Sequence, residues 1–259
     1  MKHILAIAGR ELRSFLTTPV GYVLFTAYML VFGYIFYLSL KGHLQRIELI
    51  QAYGDLQALS TVSVNQDVIA PSFGVVSIIF LFLIPLLTVR TFAEERGNGT
   101  MEMLLTSPLA TWEIVLGKYV ALLGILGLLM FFTALYPALL FLIGDPGPEP
   151  LQTLAGLIGL FLLGASLGAM GLFISTLTRS VVVAALSGIL AGLLLLLIDV
   201  AAQFLSGPVA EVLRYVGIRD HFEQLLAGLM RSEDLVYFGV TIALFLSLGR
   251  ISIESLRWR

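Results

Sequence analysis

The chain has 259 residues, 58% of them hydrophobic and 12% charged, with a mean hydropathy of +0.98, a balance far from that of water-soluble domains. It excludes a large soluble catalytic domain and predicts a membrane protein. The net charge is −2 and cysteine is absent: too few charges remain for a basic patch, so no nucleic-acid partner is expected, and there is no disulfide, zinc knuckle or iron–sulfur site.

Residues 1–18 come first. Ile4, Leu5, Ala8, Leu12, Phe15 and Leu16 fall on one arc of a helical wheel, with Arg10 and Arg13 opposite, which predicts an amphipathic helix lying in the plane of the membrane. The alternative is an inward extension of the first span, against which Thr18-Pro19 breaks the pattern. The apolar run that follows is too long for a signal-peptide core and is expected to be a retained first span.

Uncharged stretches cover residues 14–40, 68–89, 119–144, 150–178, 180–198 and 235–249. A helix needs about 20 residues to cross a 30 Å hydrocarbon core, so the first five are long enough or nearly so. The sixth has 15 residues and falls roughly 8 Å short, a deficit that snorkelling by Arg250 and interfacial Tyr237 and Trp258 would cover. The expectation is all-α, with six spans at about 20–40, 71–90, 115–143, 151–177, 181–205 and 234–250, in one domain over 1–259. Ten of the fifteen basic residues fall on the side of the termini, which predicts that both termini are cytoplasmic.

Segment 41–67 reads as a polar outer loop with helix-compatible stretches but no recognisable chemistry. Segment 90–118 is the most charged part of the chain, and Met101, Met103, Leu104 and Leu105 lie among its charges. That mixture fits docking onto a soluble partner or an amphipathic helix on lipid. Thr106-Ser107-Pro108 ends one helix ahead of the next, which places Trp112 near the interface. Within the spans, Gly164 with Gly168 and Gly188 with Gly192 have GxxxG spacing, read as packing within one subunit or as a dimer face. Pro85 and Pro137 are expected to kink their helices. Segment 199–234 is too charged to cross and too amphipathic for a plain linker, so short outer helices are expected there.

Other chemistry is absent. Gly164-Ala165-Ser166-Leu167-Gly168 matches GxSxG, but the three histidines, His3, His43 and His221, all lie outside the spans, so no base is expected beside Ser166. Gly117-Lys118 lacks the first glycine and the Ser or Thr of a phosphate loop. Away from their ends the spans carry no charged residue, Asp199 lying at the outer end of the fifth, unlike the midplane groups of an ion-coupled carrier. Arg219-Asp220-His221 reads as a solvated turn. No metal site and no catalytic residue are expected.

The stretch Phe92-Ala93-Glu94-Glu95-Arg96-Gly97-Asn98-Gly99-Thr100-Met101-Glu102-Met103-Leu104-Leu105-Thr106-Ser107-Pro108, followed by Gly117-Lys118, closely resembles the loop between the second and third spans of ABC-2 type permeases. The resemblance continues through Arg10-Glu11-Leu12, Phe15 and Thr18-Pro19, and through His221-Phe222-Glu223 and Asp234 to Phe238. It is strongest to the subgroup of the gliding-motility permease GldF and the nitrous-oxide-reductase maturation permease NosY.

The resemblance implies a membrane subunit of an ATP-driven transporter in a bacterial cytoplasmic (inner) membrane. Two permease copies, identical or different, would pair with two copies of a separate ABC ATPase. ATP and Mg would be held by that partner and no cofactor by this chain, and an extracytoplasmic partner is conceivable. Glu94, Glu95, Arg96, Gly99, Thr100, Glu102, Leu104, Leu105, Ser107 and Pro108 would form the coupling helix and its flanks, with Arg10, Glu11, Leu12 and Phe15 on the neighbouring interfacial helix. The alternative is a non-transporting anchor or assembly subunit, as in motility or metalloenzyme maturation.

Overall fold

The computed structural model describes residues 2–54, 57, 61–105, 109–144, 147–205 and 207–257, with the backbone alone at 104, 105 and 257. The described residues are helical, without strands. Six helices are long and apolar enough to cross a membrane, and the chain is a multi-pass membrane protein.

Helix α1 (Lys2–Thr17) is separate from α2 (Pro19–Tyr53). Thr18 is extended and Pro19 opens α2 at a position where its missing N–H costs no hydrogen bond. A Cβ on Gly21 would run into the Phe15 backbone carbonyl, so only glycine lets the chain turn this tightly. Gly21→Ala is expected to push α1 off α2, seen as new protease cleavage near Thr18 in the solubilised protein.

The inner face of α1 differs from the arc read in the sequence. Ala8 is buried, Ile4, Ile7, Glu11, Leu12 and Phe15 are half-buried, and Leu5 and Leu16 are exposed. Ile7 lies against Gly117 and Leu12 against Gly124. The arc left out Ile7, whereas the packed face includes Ile7 and one carboxylate and leaves two leucines outside.

Helix α2 has 35 residues, about 52 Å at 1.5 Å per residue. The expected loop from Lys41 is therefore corrected: the helix runs on to Tyr53 and ends where Gly54 takes φ 69°. Residues 43–53 are mostly good helix formers, and the extension is fastened by His43 Nδ1 at 3.0 Å and Arg46 Nη1 at 2.5 Å from the two oxygens of Asp67.

A π-helical turn, Asn65–Ile69, leads into α3 (Ala70–Gly97). The short α4 (Thr100–Leu105) follows, then α5 (Thr111–Ile143), α6 (Pro150–Leu177) and α7 (Val181–Gln203). The short α8 (Pro208–Val216) and α9 (Ile218–Leu226) precede α10 (Ser232–Arg257). Pro85 and Pro137 lie inside α3 and α5, which run on through them. The sixth crossing helix has 26 residues, and on it Arg250 lies 3.3 Å from Glu254 and over the Trp112 ring.

Helix α6 is the hub, packed against α3, α5, α7, α9 and α10. Its Gly, Ala and Ser residues allow close approach on several sides. Gly164 meets Leu126 and Phe80, and Gly168 meets Leu122 and Ile84. On α7, Gly188 meets the Pro85 ring and Gly192 meets Leu81 and Leu167. All four glycines thus pack within the chain. A second part of the core is aromatic, with Phe32 and Phe36 against Tyr136, and the Tyr28 hydroxyl 2.7 Å from that of Thr133.

Candidate functional site

The last turns of α3, the start of α5 and helix α1 come together around one buried cation. Lys118 is 1% exposed. Its Nζ donates to Glu95 Oε1 at 2.7 Å, to the Thr91 carbonyl at 2.7 Å and to Glu11 Oε1 at 3.2 Å, and lies 5.0 Å from the Phe92 ring centroid. An ammonium has three donors, and each meets an acceptor. Burying such a charge without partners is prohibitive, so the site exists only while α1, α3 and α5 stay together.

Burial pushes the Glu11 carboxyl up, but Lys118 and Arg10 outweigh it and hold it below the ordinary carboxylate value of 4.5. The unfolded chain therefore takes up the Glu11 proton first as pH falls. The contribution of Glu11 stands in full above the unfolded value and is lost as pH drops through the folded one. Glu11→Gln is expected to flatten this part of the acid dependence of thermal unfolding, measured in detergent from neutral pH down through the carboxylate range.

The other residues read from the motif divide into two sets. Glu95 and Arg96 are half-buried and bonded within the chain. The Arg96 guanidinium donates to the Thr176 carbonyl, tying the end of α3 to the end of α6, and the second Glu95 oxygen is buried without a hydrogen-bond partner. Glu94, Gly99, Thr100, Glu102 and Met103 are exposed, and Met101 is buried. Gly99, at φ 73°, turns the chain from α3 into α4. The side chains of Leu104 and Leu105, and the whole of Ser107 and Pro108, lie outside the described residues. On α1, Arg10 is exposed and pairs with Glu11 at 3.0 Å, while Leu12 and Phe15 face the bundle.

Lys118 itself was not among the residues singled out for the coupling site. The available signal was a lone cation at the head of a long apolar helix, which needs a carboxylate from elsewhere.

A second polar cluster lies at the other end of the bundle and corrects the solvated-turn reading of Arg219-Asp220-His221. These residues open α9, and His221 is only 6% exposed. Its Nδ1 is 2.6 Å from Asp234 Oδ1, its Nε2 is 3.2 Å from the Tyr215 carbonyl, and its ring stacks on Tyr237 at 4.0 Å. Asp199, 2% exposed, accepts the Arg219 backbone N–H at 2.9 Å and so caps α9. His221, which looks solvated in a polar segment, is drawn inside by Asp234 of α10, while Arg219 keeps its side chain exposed and only its backbone N–H is held, by Asp199 of α7. Segment 41–67 likewise carries chemistry, in the His43–Asp67–Arg46 set.

Ser166 is buried on α6 with its hydroxyl unpaired. Among the described residues no group of three His, Asp or Glu side chains could hold a metal ion.

The sequence model of the family described as "ABC-2 family transporter protein" matches residues 5–251. The probable multidrug ABC transporter permease YbhS of Escherichia coli strain K12 is 31% identical over 201 residues, which is 76% of this chain and 51% of that protein. Its counterpart in Escherichia coli O157:H7 gives the same figures. The chain thus spans about half the length of the curated relatives it matches.

Proposed function

The chain belongs to the ABC-2 family of transporter permeases, and from that premise we propose that it moves a substrate across a bacterial cytoplasmic membrane, driven by a separate ABC ATPase. A permease is not itself an enzyme, and membership implies an ATPase partner and dimerisation in general. In our reading two permease copies pair with two ATPase copies, which bind the ATP and Mg, and both termini are cytoplasmic. A kinship to the GldF and NosY subgroup belongs to the same proposal.

One observation carries the coupling. The exposed surface of Glu94, Glu102 and Met103 is joined through Glu95 and Lys118 to α1 and α5. An ATPase that grips this surface moves three helices together, because Lys118 cannot be left behind without stranding a buried charge. ATP-driven closure then biases the permease between inward-facing and outward-facing states.

The test is to tag the chain, solubilise it gently and reconstitute what co-purifies. A P-loop ATPase is expected in the complex, and Glu94→Ala with Glu102→Ala is expected to reduce transporter-dependent ATP hydrolysis at least fivefold with insertion unchanged. Wild-type hydrolysis in that double variant would remove the proposed contact. Absence of an ATPase even after crosslinking would remove the transport reading and favour an anchor.

A further inference from the structure

Helices α3 and α7 cross tightly where Gly188 meets Pro85 and Gly192 meets Leu81. Beyond that crossing a cavity of about 320 Å³ lies between α3 and α9, with one residue each of α6 and α7 completing its wall, within the range of small-ligand sites. Its walls are Gly74, Ile78, Leu163, Leu196, Phe222 and Leu226. Gly74 enlarges it, since a Cβ there would meet nothing within 4 Å. The walls reach roughly 10–20 Å along α3 from Asn65, at 1.5 Å per residue, which is acyl-chain depth rather than headgroup depth.

The rim is charged with both signs. Arg219 and Glu223, one turn apart on α9, also line the cavity; they are exposed and pair at 2.5 Å through the Arg219 Nε. The guanidinium fork can take a phosphate while the neighbouring carboxylate takes an ammonium. Sideways, the cavity adjoins apolar surface that faces away from the bundle: Ile78 is 52% exposed, and Leu194 and Leu197 are exposed as well.

We propose that this cavity is a lipid site: one acyl chain of a zwitterionic phospholipid, from the leaflet at the α9 end, inserts between α3 and α9, with its phosphate and ammonium on Arg219 and Glu223. The paired rim is the reason for a zwitterionic headgroup, because a purely anionic one would set its charge against Glu223. The proposal does not depend on the ATPase reading, and its test needs no ATPase.

The full-length chain is reconstituted in bilayers of equal phosphatidylethanolamine and phosphatidylglycerol, then released into the gas phase for native mass spectrometry. The wild type is expected to retain one phosphatidylethanolamine per chain in preference to phosphatidylglycerol. Gly74→Phe fills the cavity into open space and is expected to cut retention about tenfold. Glu223→Gln is expected to leave retention but erase the headgroup preference, which keeps a test in hand if Gly74→Phe folds poorly. Equal retention of both lipids by the wild type, or unchanged retention in a folded Gly74→Phe chain, overturns the proposal. So does a loss of dimer in Gly74→Phe without loss of lipid, which would make the cavity a seat for a second copy.

Discussion

Lys118→Met is expected to lower the unfolding temperature of the solubilised chain by roughly 10 °C and to uncouple ATP hydrolysis from the permease. The substitution keeps the length of the side chain and removes only its charge and donors. Glu95 and Glu11 then lose the cation that their partly buried carboxylates face, and breaking such a pair by removing one partner costs about 3–5 kcal/mol. At about 2–4 °C per kcal/mol for a chain of this size, the shift in melting follows. The triple variant Lys118→Met, Glu95→Gln, Glu11→Gln separates stability from function. Removing all three charges leaves no buried charge unpaired, so part of the lost melting temperature should return. Coupling should not return, because α1 would no longer be tied to α3. An unchanged melting temperature in Lys118→Met alone would show that the three contacts contribute nothing.

The second large effect is expected at the other end of the bundle. A Cβ on Gly217 would fall on the Asp199 carboxylate, so Gly217→Ala must displace the group that caps α9. Loss of the cap costs about 0.5–2 kcal/mol and overpacking about 1–3 kcal/mol. The combined effect of roughly 2–4 kcal/mol should appear as early protease cleavage between α8 and α9 and a lower melting temperature. Phe222 and Leu225, which lie against Gly159 of α6, would loosen with the helix. Asp199→Ala vacates the contested space, so adding it to Gly217→Ala should cost less than the sum of the two single changes. Strict additivity would mean that the glycine serves some purpose other than making room for the carboxylate.

The six crossing helices were legible because hydrocarbon excludes unpaired charge, and runs of uncharged residues mark them directly. The sixth shows the limit of that rule. Arg250 and Glu254 neutralise each other one turn apart, so the helix continues where an uncharged count stops. The end of α2 was missed for a related reason: Lys41 and Arg46 looked like the edge of a loop, but helix continuation depends on backbone propensity and on Asp67, 21 residues beyond Arg46. Segment 92–108 was readable as a motif, yet its division into exposed Glu94 and inward Glu95 was not. That division is set by Lys118, 23 residues from Glu95 and 107 from Glu11. His221 was invisible for the same reason, since no local pattern says that Asp234 and Tyr237 will close over it.

The length of α2 makes it a lever. A rod of about 52 Å that tilts by about 10° at its foot swings its tip by about 9 Å, far more than any side chain there would move by itself. The foot is the Thr18-Pro19 joint beside α1, and well out along the arm His43 and Arg46 grip Asp67 in the turn ahead of α3. A small displacement of α1, were it to tilt α2, would reach the opposite end of α3, whose near end is already held by Lys118.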